Sequence, residues 1–162
     1  MKKESILGQD LALGLTADEE GRVFAGPLTH IDLQSVFRED VAPRVDDLGI
    51  VSGRANLVQS LIMRLKTEQG ELAPLGHPRY GSRHHQLIGQ PNTENNRNLV
   101  KLYVLEALKQ EPRLEEILEI TVAPGEGREN RDKVDLEIRV KIKGIPDPLS
   151  FVMPFSFGGP LE

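Results

Sequence analysis

The chain of 162 residues contains no cysteine at all. It therefore has no disulfide framework, no thiol nucleophile and no cysteine-ligated zinc site, which fits a reducing compartment. Tryptophan is also absent, and only two tyrosines are present. Carbohydrate sites commonly rely on aromatic platforms, so this scarcity disfavours a sugar-binding function.

Long apolar runs and basic clusters are missing too. The chain has 20 Lys and Arg against 25 Asp and Glu, a net charge of −5, so nucleic acid is not an expected partner. The first 15 residues lack the continuous apolar run of a signal peptide, and no stretch approaches the roughly 20 apolar residues of a membrane span. We expect a single domain over residues 1–162, made in the cytoplasm and without membrane contact.

Two stretches have the apolar spacing of amphipathic helices. The first covers residues 54–70, with Ser52 as a plausible N-cap and Gly70 as a plausible stop. The second covers residues 93–110 and is capped by Thr93. The apolar positions of the first helix, which follow steps of one, three and four, are Leu57, Val58, Leu61, Ile62 and Leu65.

The C-terminal third predicts sheet. Residues 133–142 alternate strictly between apolar and charged side chains, and strands at 117–122 and 149–157 flank them. Pro154 predicts an edge strand or a bulge in the last of these. Short strands are also expected at 9–15, 23–28 and 48–53, and a short helix within 28–47. The predicted class is α+β, with two main helices packed on a mainly antiparallel sheet that ends in a three-stranded meander.

The triplet Glu111-Pro112-Arg113 lies between the second helix and the first strand of that meander. Pro112 disfavours helical geometry at Glu111, so the helix should end near Gln110 and leave a fixed corner. The simplest interpretation is that Arg113 caps the carbonyl groups at the helix end. A second interpretation, compatible with the first, is that the charged pair faces a partner protein.

Several segments, in this order, resemble the gene-25-like (GPW-type) baseplate wedge proteins of contractile phage tails and injection systems. They are an opening strand at 7–15, a first helix and its exit at 48–72, a Tyr-Gly-Ser loop at 79–90, the Glu-Pro-Arg motif at 111–117 and a closing strand at 148–157. Two departures from the family pattern stand out. Arg79 replaces the acidic residue that usually precedes Tyr-Gly-Ser, and residues 27–47 look like an insertion.

The resemblance implies a structural role, without a cofactor, in several copies per particle. Members of the family dock on two larger wedge proteins and start the sheath, because their sheet offers a strand partner to arms of the first sheath subunits. Partner contacts are therefore expected at Glu111, Pro112 and Arg113. They are also expected at Arg139, Lys141 and Lys143, among the mixed charges on the outer face of residues 133–142.

Two other functions remain open. A tail-associated muramidase needs two carboxylates around a cleft, but the acids here are not marked out by an apolar setting. A free-standing adaptor with the same fold is the other possibility.

A metal site is not expected, because His77, His84 and His85 lack the spacing of metal ligands and the side chains of the adjacent pair should point apart in an extended segment. Because the Glu-Pro-Arg resemblance lies at a rigid corner, we expect Arg113→Glu to leave the isolated domain folded but to abolish its incorporation into a baseplate.

Overall fold

The computed structural model describes residues 7–13, 16–17, 23–24, 35–38, 45–125, 127 and 130–158. Two helices, α1 (Gly53–Lys66) and α2 (Glu94–Leu108), lie between short N-terminal strands and a long C-terminal meander. Short 3-10 turns occur at Ala73–Leu75 and His84–Leu87. The strands are β1 (Gln9–Leu11), β2 (Thr16–Ala17), β3 (Val23–Phe24), β4 (Ser35–Arg38), β5 (Val45–Leu48), β6 (Ile50–Ser52), β7 (Leu114–Pro124), β8 (Lys133–Ile142) and β9 (Leu149–Ser156).

The main sheet has the strand order β2-β3-β9-β8-β7. All of its pairings are antiparallel except β3 with β9, where Val23 lies opposite Phe151 in a parallel register. Strands β7, β8 and β9 form the predicted meander, and α2 packs against β7. The predicted α+β class is therefore confirmed.

The core lies between the helices and one face of the meander. On β8 the apolar residues are buried and most of the charged ones exposed, as the strict alternation predicted. The three phenylalanines of the last strand and its exit, Phe151, Phe155 and Phe157, are all buried. Phe155 and Phe157 pack edge to face at 5.1 Å. These rings thus belong to the core rather than to an exposed patch.

Among the described residues, β7 lies at one end of the main sheet and the two-residue β2 at the other, whereas β8 is an inner strand. Because β8 is flanked by β7 and β9, its backbone groups are used on both sides, so an added strand could pair only with an edge strand of this sheet. Register shifts at Glu115 and Leu118 interrupt the pairing of β7 with β8. Such irregularities are common in edge strands, where they restrict random pairing. Pro154 lies beyond the two residues of β9 that pair with β3, which explains why it is tolerated.

The N-terminal half departs most from the sequence prediction. Strand β1 pairs with β6, with Leu11 opposite Ile50, whereas β3 pairs with β2 and β9. Residues 35–38, inside the predicted short helix, form β4 and pair antiparallel with β5. Val36 and Phe37 favour strand geometry, which outweighs the capping-like spacing upstream. The rest of that predicted helix up to residue 44 lies outside the described residues.

The helix ends also differ in part from their predictions. Thr93 caps α2, and its side chain accepts a hydrogen bond from the backbone N–H of Asn96 at 3.2 Å. Ser52 occupies the N-cap of α1 but makes no capping hydrogen bond. Helix α1 ends at Lys66 rather than Gly70, because Thr67 turns to an extended conformation and its carbonyl accepts from the backbone N–H of Ser82.

Candidate functional site

The Glu-Pro-Arg corner, residues 111–113, is a tight turn between α2 and β7. The backbone N–H of Glu111 donates to the carbonyl of Leu108 at 3.0 Å, and the N–H of Leu114 donates to the carbonyl of Glu111 at 3.2 Å. Pro112 lies exposed at the tip. The helix ends at Leu108, two residues before the position predicted from Pro112, and its last groups are satisfied by backbone donors.

The carboxylate of Glu111 is held by two arginines. Arg113 donates from Nε to Oε1 at 2.6 Å and from Nη2 to Oε2 at 3.1 Å, and its backbone N–H donates to Oε1 at 3.2 Å. On the other side, Nη2 of Arg64 lies 3.6 Å from Oε2. The Glu111 side chain is only 5% exposed. A buried carboxylate of this kind is tolerated because opposite charges and donors surround it.

These contacts determine the protonation state of Glu111. Burial alone raises its pKa. The hydrogen bonds from the side chain and backbone of Arg113, with the positive charges of Arg113 and Arg64, outweigh that effect, and the pKa lies below its ordinary value. Glu111 is therefore ionised at neutral pH.

Arg113 does not cap the helix, so the simplest sequence interpretation is wrong. Its remaining donor, Nη1, reaches the carbonyl of Leu7 at 3.3 Å. The same carbonyl accepts from Nδ2 of the buried Asn56 at 2.7 Å. Backbone N–H groups of the turn donate to the carbonyl groups at the end of α2, so these need no cap from Arg113. The guanidinium instead connects the corner to the segment that precedes β1.

Two depressions flank the corner. The first, the β7 groove, has a volume of about 340 Å³ and lies between the end of α2 and the start of β7. The second, the Arg64 depression, has a volume of about 480 Å³ and lies on the side of α1. The β7 groove is lined by Leu105, Leu108, Lys109, Glu111, Leu114, Glu115, Glu116 and Ile117. The Arg64 depression is lined by Arg64, Gly76, His77, Pro78, Arg79, Tyr80 and Gln110.

The fold and the corner agree with what a comparison with known families finds. The family model of the baseplate wedge protein gp25 matches residues 51–147, which is more than half of the chain. The chain belongs to the baseplate wedge protein gp25 family. Membership makes it a baseplate or tail component, one that assembles with other tail proteins. No curated protein matches the sequence.

A solved structure is also similar to this gp25-family chain. It is a crystal structure from Geobacter sulfurreducens, described as a candidate tail lysozyme, with 25% sequence identity and a TM-score of 0.52. The match covers 60% of this chain and 85% of that chain. This second comparison bears on the muramidase alternative.

The other predicted contact residues of the gp25-family chain fall into two places. Lys143 belongs to the corner, because its Nζ donates to the carbonyl of Pro112 at 2.6 Å and its backbone N–H to the carbonyl of Arg113 at 3.0 Å. Lys141 and Arg139 lie on the outer face of the sheet, opposite Glu116 and Glu119 of β7. Lys141 also pairs with Glu115 at 2.7 Å.

Sequence reasoning missed Arg64. Its guanidinium carbon lies 4.4 Å from the centre of the Tyr80 ring, and the side chain is 12% exposed. The signal was present, because Arg64 lies three residues after Leu61 and seven after Leu57, on the apolar side of α1. Only the long-range approach of Tyr80 and Glu111 reveals its role.

The histidine pair is arranged differently from the prediction. His84 and His85 lie in a 3-10 turn rather than an extended segment, and their rings are 4.2 Å apart instead of pointing away from each other. Nδ1 of His84 contacts Oγ of Ser82 at 2.8 Å, and Nε2 of His85 donates to the carbonyl of Leu65 at 2.8 Å. Burial, with the nearby His85, lowers the pKa of His84 to about 3.

The Tyr-Gly-Ser loop is held close to the exit of α1. Gly81 has a φ of +100°, and a Cβ at this position would lie 2.6 Å from the carbonyl oxygen of Thr67. Only glycine fits such a close backbone approach. In the described part of the chain, no three His, Asp or Glu side chains could together hold a metal ion. None of the helices described there has the length and apolar character needed to cross a membrane.

Proposed function

We propose that this protein is a non-enzymatic baseplate wedge component that docks on partner wedge proteins and starts the sheath of a contractile tail or injection particle. It would be made in the cytoplasm and assembled in several copies per particle. Family membership supports the baseplate role. One structural observation carries the finer proposal: an 11-residue strand, β7, has no neighbour on its outer side among the described residues.

The wedge partner is proposed to dock at the Glu-Pro-Arg corner. Pro112 and Lys143 are exposed there, and the Arg113 side chain is 22% exposed. Glu111 is already satisfied inside the chain, so its role is to hold the turn rigid. Such a preorganised surface loses little conformational entropy on binding. The partner would contact Pro112 and the cationic groups of Arg113 and Lys143.

The sheath is proposed to start at β7. An incoming arm that adds as a strand would gain backbone hydrogen bonds, and the adjoining β7 groove would receive its apolar side chains. Leu105, Leu114 and Ile117 line this groove, with Glu115 and Glu116 beside them. Arg139 and Lys141 lie one strand further in, where they would meet side chains of the arm rather than its backbone.

Reconstitution tests the proposal. The purified protein should enter baseplates formed from its wedge partners, and sheath should then polymerise from them, as seen by electron microscopy. Omission of the protein should leave baseplates without sheath. Normal sheath growth in its absence would contradict the initiator role, and a pull-down that brings neither wedge nor sheath proteins would contradict the docking role.

A muramidase function is the second candidate, because a similar structure is described as a candidate tail lysozyme. A retaining or inverting glycosidase needs one protonated carboxylic acid. Glu111 is ionised and bound by Arg113, and Glu106 pairs with Arg83. We therefore expect no release of reducing sugars from peptidoglycan. Turnover that Glu111→Gln abolishes would favour the enzyme instead.

A further inference from the structure

The Arg64 depression contains an arginine whose hydrogen-bonding capacity is unused. In the described part of the chain, Arg64 makes an ion pair with Glu111 at 3.6 Å and stacks on Tyr80, but its guanidinium donates no hydrogen bond. Its Nε is buried and has no hydrogen-bond partner. A buried donor without a partner is rare in folded proteins and destabilising.

The guanidinium is nevertheless held in place. Tyr80 covers one of its faces and Glu111 lies beside one terminal nitrogen. A fork fixed in this way is preorganised for a planar anion, because little rotamer entropy remains to be lost on binding. The arrangement resembles half of a bidentate arginine–carboxylate pair whose acid is missing.

The surroundings favour a negative group. No Asp or Glu lines the depression, whereas Arg64 and Arg79 both do. Arg79 is exposed on the rim, where its backbone carbonyl accepts a hydrogen bond from Nε2 of Gln69 at 3.4 Å, and its guanidinium makes no hydrogen bond or ion pair with the described residues. A volume of about 480 Å³ is enough for an acidic side chain. The ionised Glu111 beside Arg64 favours a singly charged carboxylate over a doubly charged phosphate.

We infer that the Arg64 depression receives the carboxylate of an acidic side chain from a partner protein, bound by Arg64 with Arg79 on the rim. The identity of that partner as a wedge protein rests on the proposed function, since the depression adjoins the corner where docking is proposed. The existence of the carboxylate site does not depend on it.

A titration of the full chain tests the site directly. The probe is N-acetyl-glutamate amide, which carries one side-chain carboxylate, and the readout is the NMR signal of the Arg64 Nε–H group. We expect a chemical-shift change that saturates, and Arg79→Gln should weaken the affinity for the probe by about 2- to 5-fold. Arg131→Gln, at an exposed position outside the depression, serves as the control and should leave the affinity unchanged. An equal shift with the neutral glutamine analogue, or with inorganic phosphate, would overturn the inference.

An assembly arm separates this inference from the proposed function. Arg79→Glu supplies an acid to the rim from within the chain and should reduce incorporation into baseplates, whereas Arg131→Glu should not. If both variants incorporate equally well, no partner acid fills the depression, although docking at the corner stands. If even the unchanged protein fails to incorporate while the titration saturates, the proposed function fails and the carboxylate site stands.

Discussion

Arg113 binds Glu111 through two parallel hydrogen bonds, of 2.6 Å from Nε to Oε1 and 3.1 Å from Nη2 to Oε2. The two residues lie on either side of Pro112, so the turn brings the two charges together. The acid and the base of the motif thus satisfy each other within the chain. A partner that docks there, as proposed, would therefore meet a preformed corner rather than two unpaired charges.

Removing Arg113 should therefore destabilise the isolated protein. Arg113→Ala leaves the carboxylate of Glu111 buried with only the more distant Arg64, and we expect a loss of about 2–4 kcal/mol in the free energy of unfolding. Urea denaturation measures it. Lys141→Ala removes an exposed pair with Glu115 and should be indistinguishable from the parent. An Arg113→Ala variant as stable as the Lys141→Ala control would contradict the role assigned to the pair.

Charge reversal at Arg113 should be worse than its removal. Arg113→Glu places a second carboxylate beside the buried Glu111, and the repulsion between two adjacent carboxylates opposes folding. The sequence-based expectation that this variant folds normally is therefore revised: its denaturation midpoint should fall below that of Arg113→Ala. Failure of Arg113→Glu to enter a baseplate would then report instability, so tests of docking should change Pro112 or Lys143 instead.

Acid should destabilise the protein through His84. Its pKa is about 3 in the folded state, against 6.5 for an unperturbed histidine. Between these values the unfolded chain binds one more proton than the folded one, so stability falls as the pH drops from 6.5, with a slope that approaches about 1.4 kcal/mol per pH unit. Between pH 6.5 and 5, above most carboxylate titrations, His84→Gln should flatten this slope and His77→Gln should not. An unchanged slope in His84→Gln would assign the loss to other groups.

Two glycines with similar backbone angles should respond differently to alanine. Gly81 has a φ of +100° and a backbone oxygen 2.6 Å from the added Cβ, whereas Gly76 has a φ of +86° and nothing within 4 Å. Both changes strain the backbone by about 1–2 kcal/mol. Gly81→Ala must also move the Tyr-Gly-Ser loop away from Thr67, so its thermal midpoint should be clearly lower. Equal midpoints would show that the loop relaxes without cost.

A lysine on the edge of β7 should block strand addition. Leu118 lies at a bulge of this strand and is 44% exposed, and Leu102 on α2 is 46% exposed. Leu118→Lys and Leu102→Lys should each change stability by no more than about 0.5 kcal/mol. Only Leu118→Lys should reduce the fraction of baseplates that carry sheath, because an edge lysine opposes pairing. Equal sheath fractions would place the arm elsewhere.

The parts of the fold that depend on local pattern could be predicted from the sequence. Val134 to Ile142 alternate strictly, so β8 was found with its observed bounds, and Pro112 located the end of α2 within two residues. Long-range relations were not accessible. Nothing in the sequence indicates that β1 pairs with β6, or that Leu118 is an extra residue in the ladder.

The candidate site shows the same division. The Glu-Pro-Arg triplet marked the corner, but the direction of Arg113 depends on Leu7, more than a hundred residues away in the chain. Arg64 joins the site only because Tyr80 and Glu111 approach α1 from distant segments. The predicted orientation of His84 and His85 was wrong, because residues 84–87 adopt a 3-10 turn rather than an extended conformation and the two rings lie 4.2 Å apart.

The shared carbonyl of Leu7 has a consequence for the time course of folding. Asn56 can bind it as soon as α1 forms, but Arg113 lies 106 positions after Leu7 in the chain and is synthesised later than α1. In the same way Arg54, at the start of α1, donates to the carbonyl of Pro148 at 2.6 Å, across 94 positions. Contacts of such high sequence separation form slowly, because long loops must close first. The contacts of Leu7 and α1 with the later part of the chain can therefore form only after that part has been synthesised. A nascent chain that stops before β8 leaves the apolar face of α1 exposed to chaperones and proteases.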